Sequence, residues 1–492
     1  MRIFILVLLL SAVEFDLSSQ TIKRKLTMED VIKLAQEKSI SSMVSKNIFA
    51  SAYWQYRSYK AERLPSVNIN AGVGNFNRSL VALQDAATGS FAYRENYILE
   101  NNMSLSLNQN ITATGGTLSL YSSLNRLDQF RPERYVTYYT QPLTLSYIQP
   151  LWLFNSFKWN KKIEPKNFEY AKREYLENLE MTTITAVNYF WNFTLDQLNY
   201  EMAKRNYEQS KTLYRIATER FRLGSINKDV LLQLQLNMLN DSLNINSSYI
   251  TLTSTRNRLC SYIGYTEDAD IELQIDYKLP DILLDYNKVL EQAKQNSSFV
   301  LSQEIAILEA EKTVAQAKGN RGFTASFNAR FGMSKSDEKL RRAYGNLRDQ
   351  EVVGLTISLP VFDWGMGKGR VKMAESQAQT TRNKQEQAMI DYEQEIMLMV
   401  MQFNNQRNQC EISSRANEIA NESYELSVKN FTRGTISVTD MNVAQSSKDA
   451  ALRTYINNMS NYWNYYFSIR KKTLYDYINN TNINAEFDKL VK

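Results

Sequence analysis

The feature that most constrains this chain is the absence of proline from two long segments. No proline lies between Pro165 and Pro280 or after Pro360. An interior proline removes a backbone donor and clashes with the preceding turn, so long helices need such segments. We predict helices over 166–223 and 370–433, about 87 Å and 96 Å long if continuous. Helices of this length need lateral partners, which indicates a coiled-coil-like assembly.

Each predicted helix ends at an isolated glycine, in RFRLGSINKDV at Gly224 and in NFTRGTISVTD at Gly434. A glycine in the left-handed conformation is a common helix end. A second helical run follows each glycine, and the hydroxyl of Ser225 or Thr435 is placed to cap it. Each site is therefore predicted to be a tight helical hairpin. Two interpretations remain open: a structural turn alone, or an exposed docking surface formed by Leu223, Gly224, Ser225, Arg433, Gly434 and Thr435.

The two halves of the chain repeat one pattern. Pro150 and Pro360 are separated by 210 residues, as are Gly224 and Gly434. Upstream of the prolines, matching segments are 258 residues apart instead of 210. The first half therefore carries 48 extra residues between its first strand and its proline. The sequence therefore predicts two copies of one structural unit.

Alternating apolar and polar residues predict strands at about 66–149 and about 323–360. In 66–74, for example, valine, isoleucine and alanine interleave with asparagine and glycine. A soluble sandwich and a transmembrane barrel would both produce this alternation. The 48 extra residues contain MSLSLNQNI and TLSLYSSL joined by TATGG, which favours a hairpin with Gly115 and Gly116 at its turn. That hairpin either adds two strands or extends an external loop.

The N-terminus resembles a secretory signal peptide. Arg2 precedes an apolar run over 3–10 that is too short to span a bilayer. We expect cleavage before Gln20. The predicted organisation is a signal peptide (1–19), a first repeat (20–262), an equatorial linker (263–284), a second repeat (285–472) and a C-terminal tail (473–492).

Composition argues against several functions. The chain has no histidine, the commonest general base and metal ligand, and no activated nucleophile in a recognisable pattern. Cys260 and Cys410 lie in helical patterns without metal spacing and are expected to be buried and unpaired. The net charge of +6 is spread along the chain, so no basic stripe indicates nucleic acid. We therefore expect no enzyme, no cofactor, no metal site and no nucleic-acid partner.

The order of elements resembles that of the TolC-type outer-membrane efflux protein family. It consists of two copies of the same series: helix, strands, long helix, glycine tip and returning helix. The segments that carry the resemblance are LTMEDVIKLAQEKS, LPSVNINAGVG, PVFDWGMGKGRVKMAESQA, LPDILLDYNKVLEQAKQNS and the two tips. The resemblance implies an α+β membrane protein built from two internal repeats. Its fold would be a trimeric transmembrane β-barrel continuous with a long periplasmic α-helical barrel. The family's usual four strands per chain are preferred here, with six as the alternative.

The same resemblance implies partners and a gate. In the family the tips meet a periplasmic membrane-fusion adaptor, which connects the channel to an inner-membrane pump of proton-driven or ABC type. An acidic residue beyond the second tip narrows the entrance. Asp440 stands at that place here and Asp229 follows the first tip, whereas Val443 replaces a further acidic residue that some members carry. The other interpretation of Asp440 is a carboxylate that favours its helix N-terminus.

Aromatic residues beside lysines predict a membrane interface where strands meet helices. Trp152, Phe154, Trp159 and Trp364 lie at these junctions. Amphipathic rings are enriched at the headgroup level of membranes, although ordinary packing between strand and helix would place aromatics here too. The resemblance implies a passive outer-membrane channel of a tripartite efflux or type I secretion system in a Gram-negative bacterium. The alternative is a soluble periplasmic coiled-coil scaffold or adaptor.

Overall fold

The computed structural model describes residues 24–84, 89–131, 133–265 and 271–491. These residues form two compact units, and each unit draws on three stretches of the chain. Unit 1 contains the described residues up to Ser45, Glu177–Val289 and Met397–Ile483; unit 2 contains Lys46–Leu176, Leu290–Ile396 and the residues from Asn484 onward. The predicted signal peptide lies outside the described residues.

The helices of the described residues are α1 (Met28–Lys38), α2 (Ile40–Ala61), α3 (Ser156–Arg222), α4 (Lys228–Tyr262), α5 (Tyr286–Asn296), α6 (Ser298–Gly319), α7 (Leu340–Ala343), α8 (Met366–Arg433), α9 (Val438–Thr473) and α10 (Phe487–Leu490). The strands are β1 (Arg24–Leu26), β2 (Ser66–Gln84), β3 (Phe91–Ile111), β4 (Gly116–Arg131), β5 (Tyr135–Leu151), β6 (Ile271–Leu273), β7 (Thr324–Asp337), β8 (Arg348–Ser358), β9 (Tyr475–Asp476) and β10 (Thr481–Asn482).

Unit 2 contains an antiparallel six-stranded sheet with the order β2-β3-β4-β5-β7-β8. β5 and β7 pair directly, from Tyr138 opposite Asp337 to Leu151 opposite Ala325. The two strand regions predicted from the sequence, more than 170 residues apart in the chain, therefore meet in one sheet.

The preference for four strands is wrong for this sheet, which has six. In the extra hairpin, β4 pairs with the later part of β3, from Ile111 opposite Gly116 to Tyr97 opposite Arg131. Its turn is closed by Gly115, whose φ of +80° favours glycine. The hairpin is thus part of the sheet because its alternation matches that of its neighbours, and a loop extension would not pair in this way.

On β3 and β5 the apolar side chains are exposed and the polar side chains between them are partly covered, whereas on β7 the small apolar residues Ala325 and Ala329 are buried. Along β3, Met103, Leu105 and Leu107 are exposed, and the serines between them, Ser104 and Ser106, are less so. β5 shows the same inversion, because Leu143 and Leu145 are exposed around a Thr144 that is fully buried. A sheet in a water-soluble domain has the opposite arrangement, with its apolar face on the core.

The two long helices exceed the predicted lengths. α3 has 67 residues and α8 has 68. α3 begins ten residues before the predicted start because the Asn155 side chain accepts a hydrogen bond from the Lys158 N–H at 3.2 Å, and the helix then continues through Pro165. The returning helices α4 and α9 have 35 and 36 residues, so the long helices and the returning helices each match in length.

Aromatic side chains fill the interior of both units. In unit 1, Phe403 packs on Tyr462 with ring centroids 5.0 Å apart. In unit 2, Phe49 contacts Tyr175 at 5.5 Å and Phe487 of α10 at 5.3 Å. The predicted C-terminal tail is therefore packed in part, since α10 contributes a ring to this cluster.

Candidate functional site

The two helix ends at Gly224 and Gly434 adopt the same closed geometry. The Gly224 N–H donates to the Phe221 carbonyl at 3.0 Å, and the Ser225 N–H donates to the Arg220 carbonyl at 2.8 Å. The equivalent bonds at the second tip are 2.9 Å from Gly434 to Phe431 and 3.0 Å from Thr435 to Asn430. This pair of bonds is the Schellman arrangement, which satisfies carbonyls that a helix end leaves free.

Both tips need glycine because their backbone conformation is left-handed. Gly224 has φ of +70° and Gly434 has φ of +83°. No heavy atom lies within 4 Å of a Cβ added at either position, so the space is open and the cost of a side chain would come from the left-handed backbone alone. The predicted hairpin turns are confirmed.

The caps of the returning helices differ from the prediction. The N-cap residues are Asn227 and Ser437, two positions beyond Ser225 and Thr435. The Thr435 hydroxyl instead donates to the Asn430 carbonyl at 3.0 Å, which reinforces the end of α8. The prediction placed the cap too early because it did not count the two residues that the chain needs to reverse direction.

The two tips pack against each other through one apolar cluster in unit 1. Its buried members come from the four helices α3, α4, α8 and α9: Leu213, Ala217, Leu234, Phe431, Val438 and Met441. Ile226 and Ile436, which occupy equivalent places after the glycines, pack against this cluster. Arg220 also donates to the Thr432 carbonyl across the tips. The cluster makes the two turns a single surface.

The predicted docking residues lie on the outside of that surface. Leu223, Gly224, Ser225, Arg433, Gly434 and Thr435 are all exposed. Leu223 is 75% exposed. The tips also differ, because Phe221 is 40% exposed and its equivalent Phe431 only 8%. The first tip therefore offers the larger apolar contact area.

Asp440 belongs to a capping box at the start of α9. Its carboxylate accepts from the Ser437 hydroxyl at 2.7 Å and from the Ser437 N–H at 3.1 Å, while the Asp440 N–H donates to the Ser437 hydroxyl at 3.1 Å. These hydrogen bonds from Ser437 hold the pKa of Asp440 below its usual value. Asp229, in the first turn of α4, lies after an N-cap Asn227 whose side chain makes no capping bond. The carboxylate of Asp440 is thus ionised and fixed in direction.

A partly buried polar network lies in unit 1 and was not predicted from the sequence. Asn206 of α3 donates to Asp449 of α9 at 2.8 Å and accepts from Lys448 at 3.3 Å. Ser210 donates to Asp241 of α4, whose pKa is raised chiefly by burial. The partners are up to 243 residues apart in sequence, so no local pattern could reveal them.

A second network fixes the C-terminal turn to α3. Arg470 of α9 forms two hydrogen bonds with Glu180, at 2.7 Å and 2.8 Å, and a third with Asp476 at 3.2 Å. Tyr466 donates to Asp476 at 2.8 Å. The Glu180 side chain is only 2% exposed, so its charge depends on Arg470 for compensation.

The four predicted interface aromatics occupy different environments in unit 2. Trp152 and Trp364 are highly exposed, at 71% and 90%. Trp159 is partly buried with the Lys162 ammonium 5.3 Å from its ring centroid. Phe154 packs so closely on α6 that a Cβ at Gly319 would lie 3.0 Å from the Phe154 nitrogen. Phe154 is therefore placed for packing, whereas the tryptophans present most of their surface outward or to lysine.

The remaining predictions concern cysteines, metal ions and membrane helices. Cys260 and Cys410 are buried and free, as expected. Burial raises the pKa of the Cys410 thiol to about 11. Within the residues that the structure describes, no group of three or more acidic or cysteine side chains is arranged to hold a metal ion. Over the same ranges, no helix combines the length and apolar character needed to cross a membrane.

Comparison with known proteins identifies the fold. Residues 289–471 match the family model described as "Outer membrane efflux protein". No curated protein sequence matches the chain. The family match confirms the resemblance inferred from the sequence over these residues, and solved structures share the fold over most of the chain.

Three solved structures illustrate that similarity. The CmeC outer membrane channel of Campylobacter jejuni is 16% identical, with a TM-score of 0.65 over 94% of this chain and 88% of that chain. The outer membrane protein VceC of Vibrio cholerae is 13% identical, with a TM-score of 0.63 over 93% and 97%. The MtrE outer membrane channel of Neisseria gonorrhoeae, in its open state, is 14% identical with a TM-score of 0.58 over 91% and 88%.

Proposed function

We propose that this chain, which carries an outer membrane efflux protein domain at 289–471, is the passive outer-membrane channel of a tripartite efflux or type I secretion system. The observation that carries the proposal is the inverted exposure of apolar and polar side chains on β3 and β5. Exposed leucines and covered threonines on β5 suit strands with lipid outside and a polar lumen inside. The function requires no catalysis, in keeping with a family of channels.

The proposed active form is a homotrimer. α4 presents exposed leucines at positions 232, 236, 239 and 243, and α8 presents Ile412, Ile419 and Leu426. Spacings of three, four and seven residues are those of a coiled-coil seam. Because both stripes are exposed within unit 1, we propose that α4 of one copy packs on α8 of the next, closing a ring of helices. The six-stranded sheets of three copies would then share one barrel.

The tips are proposed to bind a periplasmic membrane-fusion adaptor, which in turn contacts an inner-membrane pump. The support is the exposure of Leu223 and Phe221 around a rigid, doubly hydrogen-bonded turn. A fixed apolar surface loses little freedom on binding a helical partner. Proton-driven and ABC pumps are both compatible with this surface.

The channel proposal is tested in planar lipid bilayers with the purified protein. We expect a detergent-dependent trimer that forms steady conducting pores. A monomer that stays in solution without detergent and gives no current would support the soluble scaffold instead. Crosslinking through Ser225→Cys or Thr435→Cys is expected to capture an adaptor, whereas Lys33→Cys on α1 should not.

The proposed gate at Asp440 is tested in the same bilayers. Three symmetry-related carboxylates near a channel axis would attract cations, so Asp440→Asn is expected to change single-channel conductance and to reduce cation selectivity. Ser437→Ala is the matched control, because it removes the two hydrogen bonds that involve the Ser437 hydroxyl and keeps the charge of Asp440. If Asp440→Asn and Ser437→Ala both alter ion selectivity, or if neither does, the gate proposal is wrong. Asp440 then serves only to stabilise the start of α9.

A further inference from the structure

Two strand-to-helix junctions of unit 2 carry surface features that the channel proposal leaves unexplained. The first junction comprises residues 150–162, between β5 and the start of α3, and the second comprises 358–372, between β8 and the start of α8. The second exposes Val361, Phe362 and Trp364, and the first exposes Trp152 and Leu153. Contiguous exposed apolar groups of this kind usually mark an interaction surface.

A tryptophan at each junction has an unfavourable backbone. Trp152 has φ of +56° and Trp364 has φ of +53°. A bulky residue in this region is a genuine outlier. Packing of the two rings offsets little of the energy of this backbone conformation. Trp364 contacts mainly its neighbour Phe362, with ring centroids 4.4 Å apart, and Trp152 contacts Phe323, with ring centroids 5.4 Å apart. The backbone therefore holds both rings outward although the fold itself gains little.

Cations accompany the exposed rings. Lys158, Lys161 and Lys162 lie in the first turns of α3, and Lys368 and Arg370 in the first turns of α8. None of these five side chains forms an ion pair with the part of the chain that the structure describes, and neither helix has an acidic residue in its first turn. Cations near a helix N-terminus are unfavourable to the helix, so helix formation does not explain their presence.

Few acidic groups offset these cations. Asp363 is the acidic residue of the second junction, and its carboxylate accepts hydrogen bonds from the N–H groups of Gly365 at 2.9 Å and Gly367 at 2.8 Å. Lys372, at the edge of that junction, is paired with Glu375 at 3.0 Å. The first junction has no acidic residue, and Glu164 follows two residues beyond it. Both junctions are left with an excess of positive charge next to aromatic rings.

We propose that the two junctions bind the phosphate groups of anionic phospholipids in the leaflet that faces the periplasm, in preference to zwitterionic lipids. The proposal rests on the outer-membrane placement proposed above. Exposed tryptophans fit the headgroup level of a membrane, and lysine and arginine beside them fit negatively charged headgroups. A protein or nucleic-acid partner fits less well, because the same combination flanks the sheet at both helix starts.

The test measures lipid selection by the full-length trimer. The protein is reconstituted in vesicles of equal phosphatidylglycerol and phosphatidylethanolamine content, and bound lipids are counted by native mass spectrometry at low salt. We expect enrichment of phosphatidylglycerol by the unchanged protein. In Lys158→Gln/Lys161→Gln/Lys162→Gln the enrichment is expected to fall at least about fivefold, which is the contribution of roughly one cation near an anionic surface.

A charge-matched control separates local from general electrostatics. Lys33→Gln/Lys384→Gln/Lys429→Gln removes three exposed lysines on α1 and α8 away from the junctions and is expected to leave the enrichment unchanged. Equal loss in both triple variants, or no loss in either, would overturn the proposal. If the unchanged protein conducts in bilayers of both lipids without enrichment, only this inference fails. If the unchanged protein inserts into bilayers of neither lipid, both this inference and the channel proposal fail.

Discussion

At the scale of single residues, the tips depend on backbone conformation more than on side-chain contact. Gly224 and Gly434 end α3 and α8 in the left-handed region with open space around them. Such a requirement is local, so the isolated glycines reveal it in the sequence. The N-cap positions were misplaced by two residues because the length of the reversing turn depends on how Ile226 and Ile436 reach the shared cluster.

Replacing a tip glycine should loosen the turn. Gly224→Ala places an L-residue in the left-handed region at a cost of about 1 to 2 kcal/mol. Hydrogen exchange at the Ser225 amide should then be about tenfold faster. Gly369→Ala, inside α8 with open space at its Cβ, is the control and should not speed exchange. Gly224→Asn should lie between them, and equal exchange in all three variants would contradict the geometry.

Ser437→Ala should destabilise the start of α9. Losing an N-cap side chain costs about 1 kcal/mol, seen as faster exchange of the first amides of α9. Asn227→Ala is the matched control, because the Asn227 side chain makes no capping bond. The pKa of Asp440 is lowered in the folded protein, so its contribution is full above the ordinary aspartate pKa and is lost as pH falls through the lowered value. The difference between the variants should therefore shrink in acid.

At the scale of elements, α3 and α9 are joined by groups that sequence patterns do not connect. Glu180 and Arg470 are 290 residues apart, and no motif in the sequence links them. Helix existence was predictable because it follows from proline spacing. Helix pairing was not, since the choice of partner depends on side chains from opposite repeats, as with Asn206 and Asp449.

Breaking the Glu180–Arg470 pair should weaken unit 1 strongly. Arg470→Met leaves a carboxylate that is 2% exposed without its main partner, a change that costs about 3 to 5 kcal/mol. We expect a lower thermal midpoint and earlier proteolysis after residue 473. Glu180→Gln combined with Arg470→Met should recover part of the loss. A double variant as unstable as the sum of both single variants would argue against a coupled pair.

At the scale of the whole molecule, exposed apolar surface decides how copies assemble. The sheet and the stripes on α4 and α8 are exposed in one chain, and water is a poor solvent for both. Alternation in the sequence predicted a sheet with one apolar face. It could not say which face is covered, because that depends on whether lipid or a core lies outside the strands.

Charges placed in the helical stripes should prevent trimer formation. Leu236→Glu or Ile419→Lys buries one unpaired charge in each copy of the proposed α4–α8 contact, so light scattering in detergent should show monomers. The combination should restore trimers, since the opposite charges would meet between copies. Met373→Lys, an exposed position in the unit 2 part of α8, is the control and should stay trimeric. Restoration is not expected if the two stripes face different partners.

The partition of the chain into units also governs when the protein can fold. Unit 1 needs the stretches up to Ser45 and Met397–Ile483, and unit 2 needs the residues from Asn484 onward. Neither unit can be completed until almost all of these residues have been made. Contacts this distant in sequence form slowly and leave apolar strands uncovered meanwhile. We therefore expect chaperones to keep an unfinished chain from aggregating until the residues from Asn484 onward are available to unit 2.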